Sequence, residues 1–167
     1  AIPARFAIER GAWKEAANLP LQPAPADYAW KKYPQAEAIN AFARGIGAAY
    51  AGNPSAARVE FARLERLRDS AAAMKLPYWV EQIGIQAELV RGTATFAEGS
   101  RAEGIEIVRA AAVREDASEK HVVTPGPLKP GREILADLYM RDGKPADALR
   151  EYEAVIAKEP NRLGPTA

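Results

Sequence analysis

The stretch Asp142-Gly143-Lys144-Pro145-Ala146-Asp147-Ala148-Leu149-Arg150-Glu151-Tyr152 decides the fold. It reads as a helix end, a turn and a helix start. A glycine just past a helix takes the left-handed conformation without a Cβ penalty, so Gly143 is a stop. Pro145 falls in the first turn of the next helix, where a missing N–H costs nothing. Ala148 is small enough to let two helices approach closely. Tyr152, four residues later, shares its face and fills the gap between hairpins.

Upstream the same pattern recurs. Ala51-Gly52-Asn53-Pro54-Ser55-Ala56-Ala57-Arg58-Val59-Glu60-Phe61 is a second copy, and Glu98-Gly99-Ser100-Arg101-Ala102-Glu103-Gly104-Ile105-Glu106-Ile107-Val108 is a third. Arg10-Gly11-Ala12-Trp13-Lys14-Glu15-Ala16 is a partial fourth. A small residue stands five positions after each turn glycine (Ala16, Ala57, Gly104, Ala148) and another stands seven before it (Ala4, Gly45, Gly92, Ala136). Small residues at both contact points suit an antiparallel helix pair. The turn glycines at 11, 52, 99 and 143 are spaced by 41, 47 and 44 residues, which marks a helical repeat. Helices are expected over 2–10, 12–18, 35–51, 54–74, 77–98, 100–116, 131–142 and 145–158. A linker with Pro20, Pro23, Pro25 and Pro34 runs over 20–34, and a second irregular stretch with Thr124-Pro125-Gly126-Pro127 runs over 117–130. One domain spans 1–167, with a partial repeat at 1–19 and repeats at 35–75, 77–116 and 131–160. Starting inside a helix at Ala1, the chain reads as a piece of a longer protein.

Composition narrows the function. The 23 basic and 22 acidic residues nearly cancel, which gives no electrostatic reason to expect nucleic acid or an anionic membrane. No apolar run approaches the ~18 residues a membrane-spanning helix needs, so no membrane insertion is expected. Cysteine is absent, which excludes disulfides, thiolate catalysis and zinc-thiolate sites and leaves the compartment open, cytoplasmic or periplasmic. With one histidine and no phosphate-binding glycine loop after a strand, no catalytic constellation or cofactor motif stands out.

Ala136, Tyr139, Gly143, Ala148, Tyr152 and Pro160 follow the small and aromatic positions of a known repeat. In this the chain resembles the tetratricopeptide repeat family. Gly45, Gly52, Ala57 and Phe61 match more loosely, as do Gly92, Gly99, Gly104, Val108 and Ala111. The early tryptophan of the repeat is missing, and Ala48 and Thr95 stand where a tyrosine is usual. The period also exceeds the family's unit of about 34 residues. The whole is similar to the C-terminal part of a group of bacterial proteins of this family without assigned function. The resemblance implies an all-α, right-handed α-solenoid of antiparallel helix pairs, a scaffold for protein–protein interaction and not an enzyme.

In such arrays the first helix of each pair lines the groove. That register selects Ile39, Phe42, Ile46 and Tyr50, then Gln86, Leu89, Thr93 and Phe96, then Glu133, Asp137, Met140 and Arg141. Phe42, Tyr50, Leu89 and Phe96 are expected to form an apolar strip for a partner peptide or helix, continued by Asp137 and Arg141. The bland reading of the strip is burial by the chain's own linker or by neighbouring repeats. The groove positions lack the basic and amide residues with which the family's chaperone-binding members grip a carboxylate. The competing function is a small-ligand or metal-dependent hydrolytic site under the loop 117–130, with Glu119, His121 and Thr124 as candidates. Glu115 and Asp116 beside them could complete a divalent-metal site, or simply end a helix in solvent. Tyr28, Trp30 and Tyr33, with Lys31 and Lys32, read as a linker pinned by its aromatics. Exposed repeat ends would favour self-association.

Overall fold

In the computed structural model, which describes residues 2–118 and 126–160, the chain is all-helical. The helices are α1 (Ile2–Glu9), α2 (Trp13–Ala17), α3 (Pro34–Tyr50), α4 (Pro54–Ala73), α5 (Pro77–Ala97), α6 (Arg101–Ala117), α7 (Gly131–Arg141) and α8 (Pro145–Lys158). A single 3₁₀ turn, Trp30–Lys32, interrupts the proline-rich linker. Every boundary lies within two residues of its expected place, and no strand occurs among the described residues.

Helix ends follow from local chemistry. Gly11, Gly52, Gly99 and Gly143 have φ of +62°, +83°, +105° and +72°. After three of them the backbone closes a Schellman turn: the N–H groups of Ala12, Asn53 and Lys144 donate to the carbonyls of Ala7, Ala48 and Tyr139 at 2.8–2.9 Å. Asn53 also caps α4, its Oδ1 accepting the Ala56 N–H at 3.0 Å. The turn from α4 to α5 uses Lys75 at φ +58°, the left-handed non-glycine residue among those described. Lys75→Gly will therefore raise stability by about 0.5–1 kcal/mol, because it relieves a Cβ penalty larger than the chain entropy it adds. Urea melts of the two proteins will show it as a higher midpoint at constant slope.

Each helix packs on the next, and the first helices of successive pairs also lie side by side: α1 on α3, α3 on α5, α5 on α7. The small residues create this closeness. A Cβ placed on Gly104 would stand 2.6 Å from the Phe96 amide nitrogen and 2.7 Å from the Gly92 carbonyl oxygen. One placed on Gly92 would meet Val108 Cγ2 at 2.7 Å. Backbone thus meets backbone where α5 crosses α6, and backbone cannot rotate aside. Gly104→Ala will cost about 1–3 kcal/mol even after the helix-propensity gain of about 1 kcal/mol. Thermal unfolding of the variant is the check. Ala57 and Ala148 are fully buried, as their repeat positions require.

Ile46, Leu64, Ile83, Leu135 and Leu138 are among the large side chains of the continuous core. The linker is tied to α3 from below: Asn40 Nδ2 donates to the Pro20 carbonyl at 3.2 Å, and Arg44 Nη1 to the Leu19 carbonyl at 3.0 Å. Tyr28 packs against Trp30 and Tyr33 with ring centroids 4.8 and 5.5 Å apart, and Trp30 Nε1 donates to the Pro23 carbonyl. The linker aromatics therefore hold chiefly one another.

Candidate functional site

The inner face, made by α1, α3, α5 and α7, is not an open groove. Phe42, Tyr50, Leu89 and Phe96 are all buried, at 2%, 8%, 1% and 8% exposure. The expected open apolar strip is corrected to a wall of the chain's own interior. Two things cover it. The rings of Trp13 and Tyr50 pack with centroids 4.5 Å apart. Residues 126–130 run across the face: Leu128, Lys129 and Pro130 are buried, and Arg5 Nη2 on α1 donates to the Gly126 carbonyl at 3.0 Å.

Asp137 and Arg141 serve that closure. The hydroxyls of Tyr50 on α3 and Tyr152 on α8 donate to the two carboxylate oxygens of Asp137 at 2.9 and 2.6 Å. Lys129 Nζ lies 3.0 Å from the same carboxylate and 2.5 Å from Glu133 Oε1. Its ammonium is also 5.9 Å from the Trp13 ring centre. The Arg141 guanidinium stands 4.1 Å over the Tyr50 ring. Burial, and next the charge of Asp137, push the Tyr50 hydroxyl well above its ordinary range. This is a satisfied polar knot that joins α3 to α7, with Asp137 part-exposed and Arg141 exposed. Phe96 lies away from it, at the end of α5 with the Arg101 guanidinium 5.6 Å from its ring centre.

Covering the inner face leaves a hole. A cavity of about 200 Å³ remains beneath 126–130. Ile39 and Phe42 of α3 and Ile85 and Leu89 of α5 form its floor, with Tyr78 and Trp79 at the start of α5. Val155 and Lys158 of α8 and Arg5 of α1 close other sides. Phe42 and Leu89 are thus the strip residues that reach this space.

The polar groups around the cavity are unevenly partnered. Arg132 pairs with Asp116 and Glu151 at 2.5 and 2.6 Å, Lys158 with Asp116 at 3.0 Å, and Arg5 with Glu9 at 3.2 Å. Among the described residues Glu115 has no such ion pair; its Oε2 accepts the Gly131 N–H, at the start of α7, at 2.6 Å. Desolvation is the main cause that raises the Glu115 carboxyl from 4.5 to about 7, partly offset by that hydrogen bond. Gln86 Oε1 is buried with no hydrogen-bond partner.

Among the described residues no group of three or more His, Asp or Glu is placed to hold a metal ion. Asp116 is already held by two cations, which leaves it a poor donor for a third. Glu119, His121 and Thr124 lie outside the described residues. No helix of the described residues is long and apolar enough to cross a membrane.

No protein-family model, no curated protein and no solved structure matches the chain. The site must therefore be read from its own chemistry. Sequence register found Phe42 and Leu89 but missed Glu115 as a cavity group, Lys129 as the buried cation and Arg5 as the tie to Gly126. Pro127 and Pro130 flanking Leu128-Lys129 were the available signal, since prolines that stiffen a loop favour docking it over leaving it loose.

Proposed function

We propose that this chain is a non-catalytic binding module, a right-handed α-solenoid of the tetratricopeptide kind, that holds a partner protein through one anchoring side chain. The observation that carries the reading is the lidded cavity. Self-coverage of the inner face leaves no trough for a long helix, but leaves a hole of side-chain size with an apolar floor and a few polar groups. Such a hole suits one buried anchor surrounded by shallow contacts, the arrangement that concentrates binding energy in interfaces. Exposed Ile2 and Phe6 on α1, at 84% and 56%, offer apolar surface for self-association near the same end.

A small ligand in the same cavity is the second reading. Gln86 Oε1 and Glu115 favour it, because isolated polar groups in an apolar wall are how such pockets fix orientation.

The test fills the hole. Ala154 lines the cavity and is part-exposed, so Ala154→Phe can project into it. The native chain and the variant are immobilised and challenged with the same lysate. A protein retained by the native chain and lost by the variant, at unchanged melting temperature, supports the anchor. Equal retention by both removes the cavity from the interface.

A further inference from the structure

The chemistry of the anchored group can be read from what the cavity lacks. Its cations are spoken for: Arg5 by Glu9 and Gly126, Lys129 by Glu133 and Asp137, Arg132 by Asp116 and Glu151, Lys158 by Asp116. Its acceptors are not. Among the described residues Gln86 Oε1 has no donor, and the Glu115 carboxylate has a backbone N–H at one oxygen and no cation at either. An anionic guest would meet Glu115 and Asp116 and would have to break existing ion pairs to find a donor. A neutral apolar guest would leave Gln86 Oε1 unsatisfied, the expensive outcome for a buried polar atom, and would cover the Glu115 carboxylate without giving it a cation. The guest that satisfies the wall is apolar along its length and donates hydrogen bonds at its tip.

We propose that the cavity takes a primary ammonium on an apolar stem or ring, with Glu115 as its counter-ion and the Ile39, Phe42, Trp79, Ile85 and Leu89 surface around its stem. The inference rests on the cavity being the binding site. A lysine side chain of a partner and a free organic amine carry the same chemistry, a compact donor on a flexible hydrocarbon. A cation beside Glu115 favours its ionised form, so binding releases a proton near neutrality. Other charges act on that carboxyl: Asp116 on its own helix, Lys158 on α8 and Glu159 just beyond it. Arg132 on α7, Arg5 on α1 and Lys129 in the covering segment complete the charged set around the cavity among the described residues. Amine affinity should therefore rise with pH through about 7.

Calorimetric titration of the whole chain tests this with four probes: 2-phenylethylamine, 2-phenylethanol, 3-phenylpropionate and N-acetyl-lysine methylamide. At pH 8 one of the two amines should bind roughly tenfold or more tightly than the alcohol, and the anion should bind weakest. The preference should vanish at pH 5 and in Glu115→Gln, whose amide can still accept the Gly131 N–H. Tighter binding of the lysine derivative assigns the ammonium to a partner side chain, and tighter binding of phenylethylamine assigns it to a free ligand. Equal binding of amine and alcohol overturns the ammonium while leaving the cavity as a site. Binding of none of the four overturns both. Tight binding that Ala154→Phe does not reduce also overturns both, since the probes then sit elsewhere.

Discussion

Asp137→Ala will cost on the order of 3 kcal/mol, among the largest losses any single truncation in this chain will produce. Asp137 receives two tyrosine hydroxyls and stands 3.0 Å from a lysine ammonium that is almost fully buried. Removing it orphans Tyr50 and Tyr152 and leaves Lys129 with Glu133 alone. Each lost partner adds a desolvation cost without return. Asp137→Asn should recover part of the loss, because an amide oxygen can still accept one hydroxyl. Denaturant melts of the three proteins measure this. A drop of less than about 1 kcal/mol for the alanine variant would mean that water replaces the carboxylate.

Glu115→Gln should do the opposite, and only above a certain pH. The folded-state carboxyl is raised from 4.5 to about 7, so folding favours its protonated form. The stability this contributes is complete below about 4.5 and is lost as pH rises through about 7. Glutamine imitates the protonated form at every pH. The two proteins should therefore melt alike at pH 4, and the variant should lead by about 2 kcal/mol at pH 8. That is less than the full shift implies, because the carboxylate also borders the solvent-reachable cavity. A constant difference across the range would show that Glu115 does not titrate there.

These residues mark where the sequence was legible and where it was not. Gly143 and Ala148 could be read because their roles are local: a positive φ and a close crossing constrain residue type within one hairpin. Repetition then multiplied the signal, and helix ends fell within two residues of expectation. Phe42 and Leu89 could be placed on the inner face by register, but register cannot say whether that face stays open. Its covering depends on contacts between residues far apart in the chain, such as Arg5 with Gly126, and each side chain alone looks like ordinary surface. Lys129 was hidden for the same reason, and Glu115, read from sequence as a metal candidate, could not be placed beside a cavity. A lysine in a loop and a glutamate at a helix end are the residues most often solvated, and only the fold shows Lys129 buried and Glu115 half-buried and desolvated.

The hydrogen bond from Tyr50 to Asp137 joins the helix pairs α3–α4 and α7–α8, with α5–α6 between them. An ordinary repeat array is nearly one-dimensional: each unit touches only its neighbours, and such arrays fray from their ends. Here units that are not neighbours are latched together, α3–α4 to α7–α8 through Tyr50 and Asp137, and α1 to the segment before α7 through Arg5 and Gly126. An end unit cannot peel away without breaking a contact to a part of the chain that is not its neighbour. The chain should thus lose its structure in a single step and not unit by unit. Closing loops of this length before the latch forms slows folding in proportion, so the same tyrosine that suppresses fraying should make the route to the native state slower.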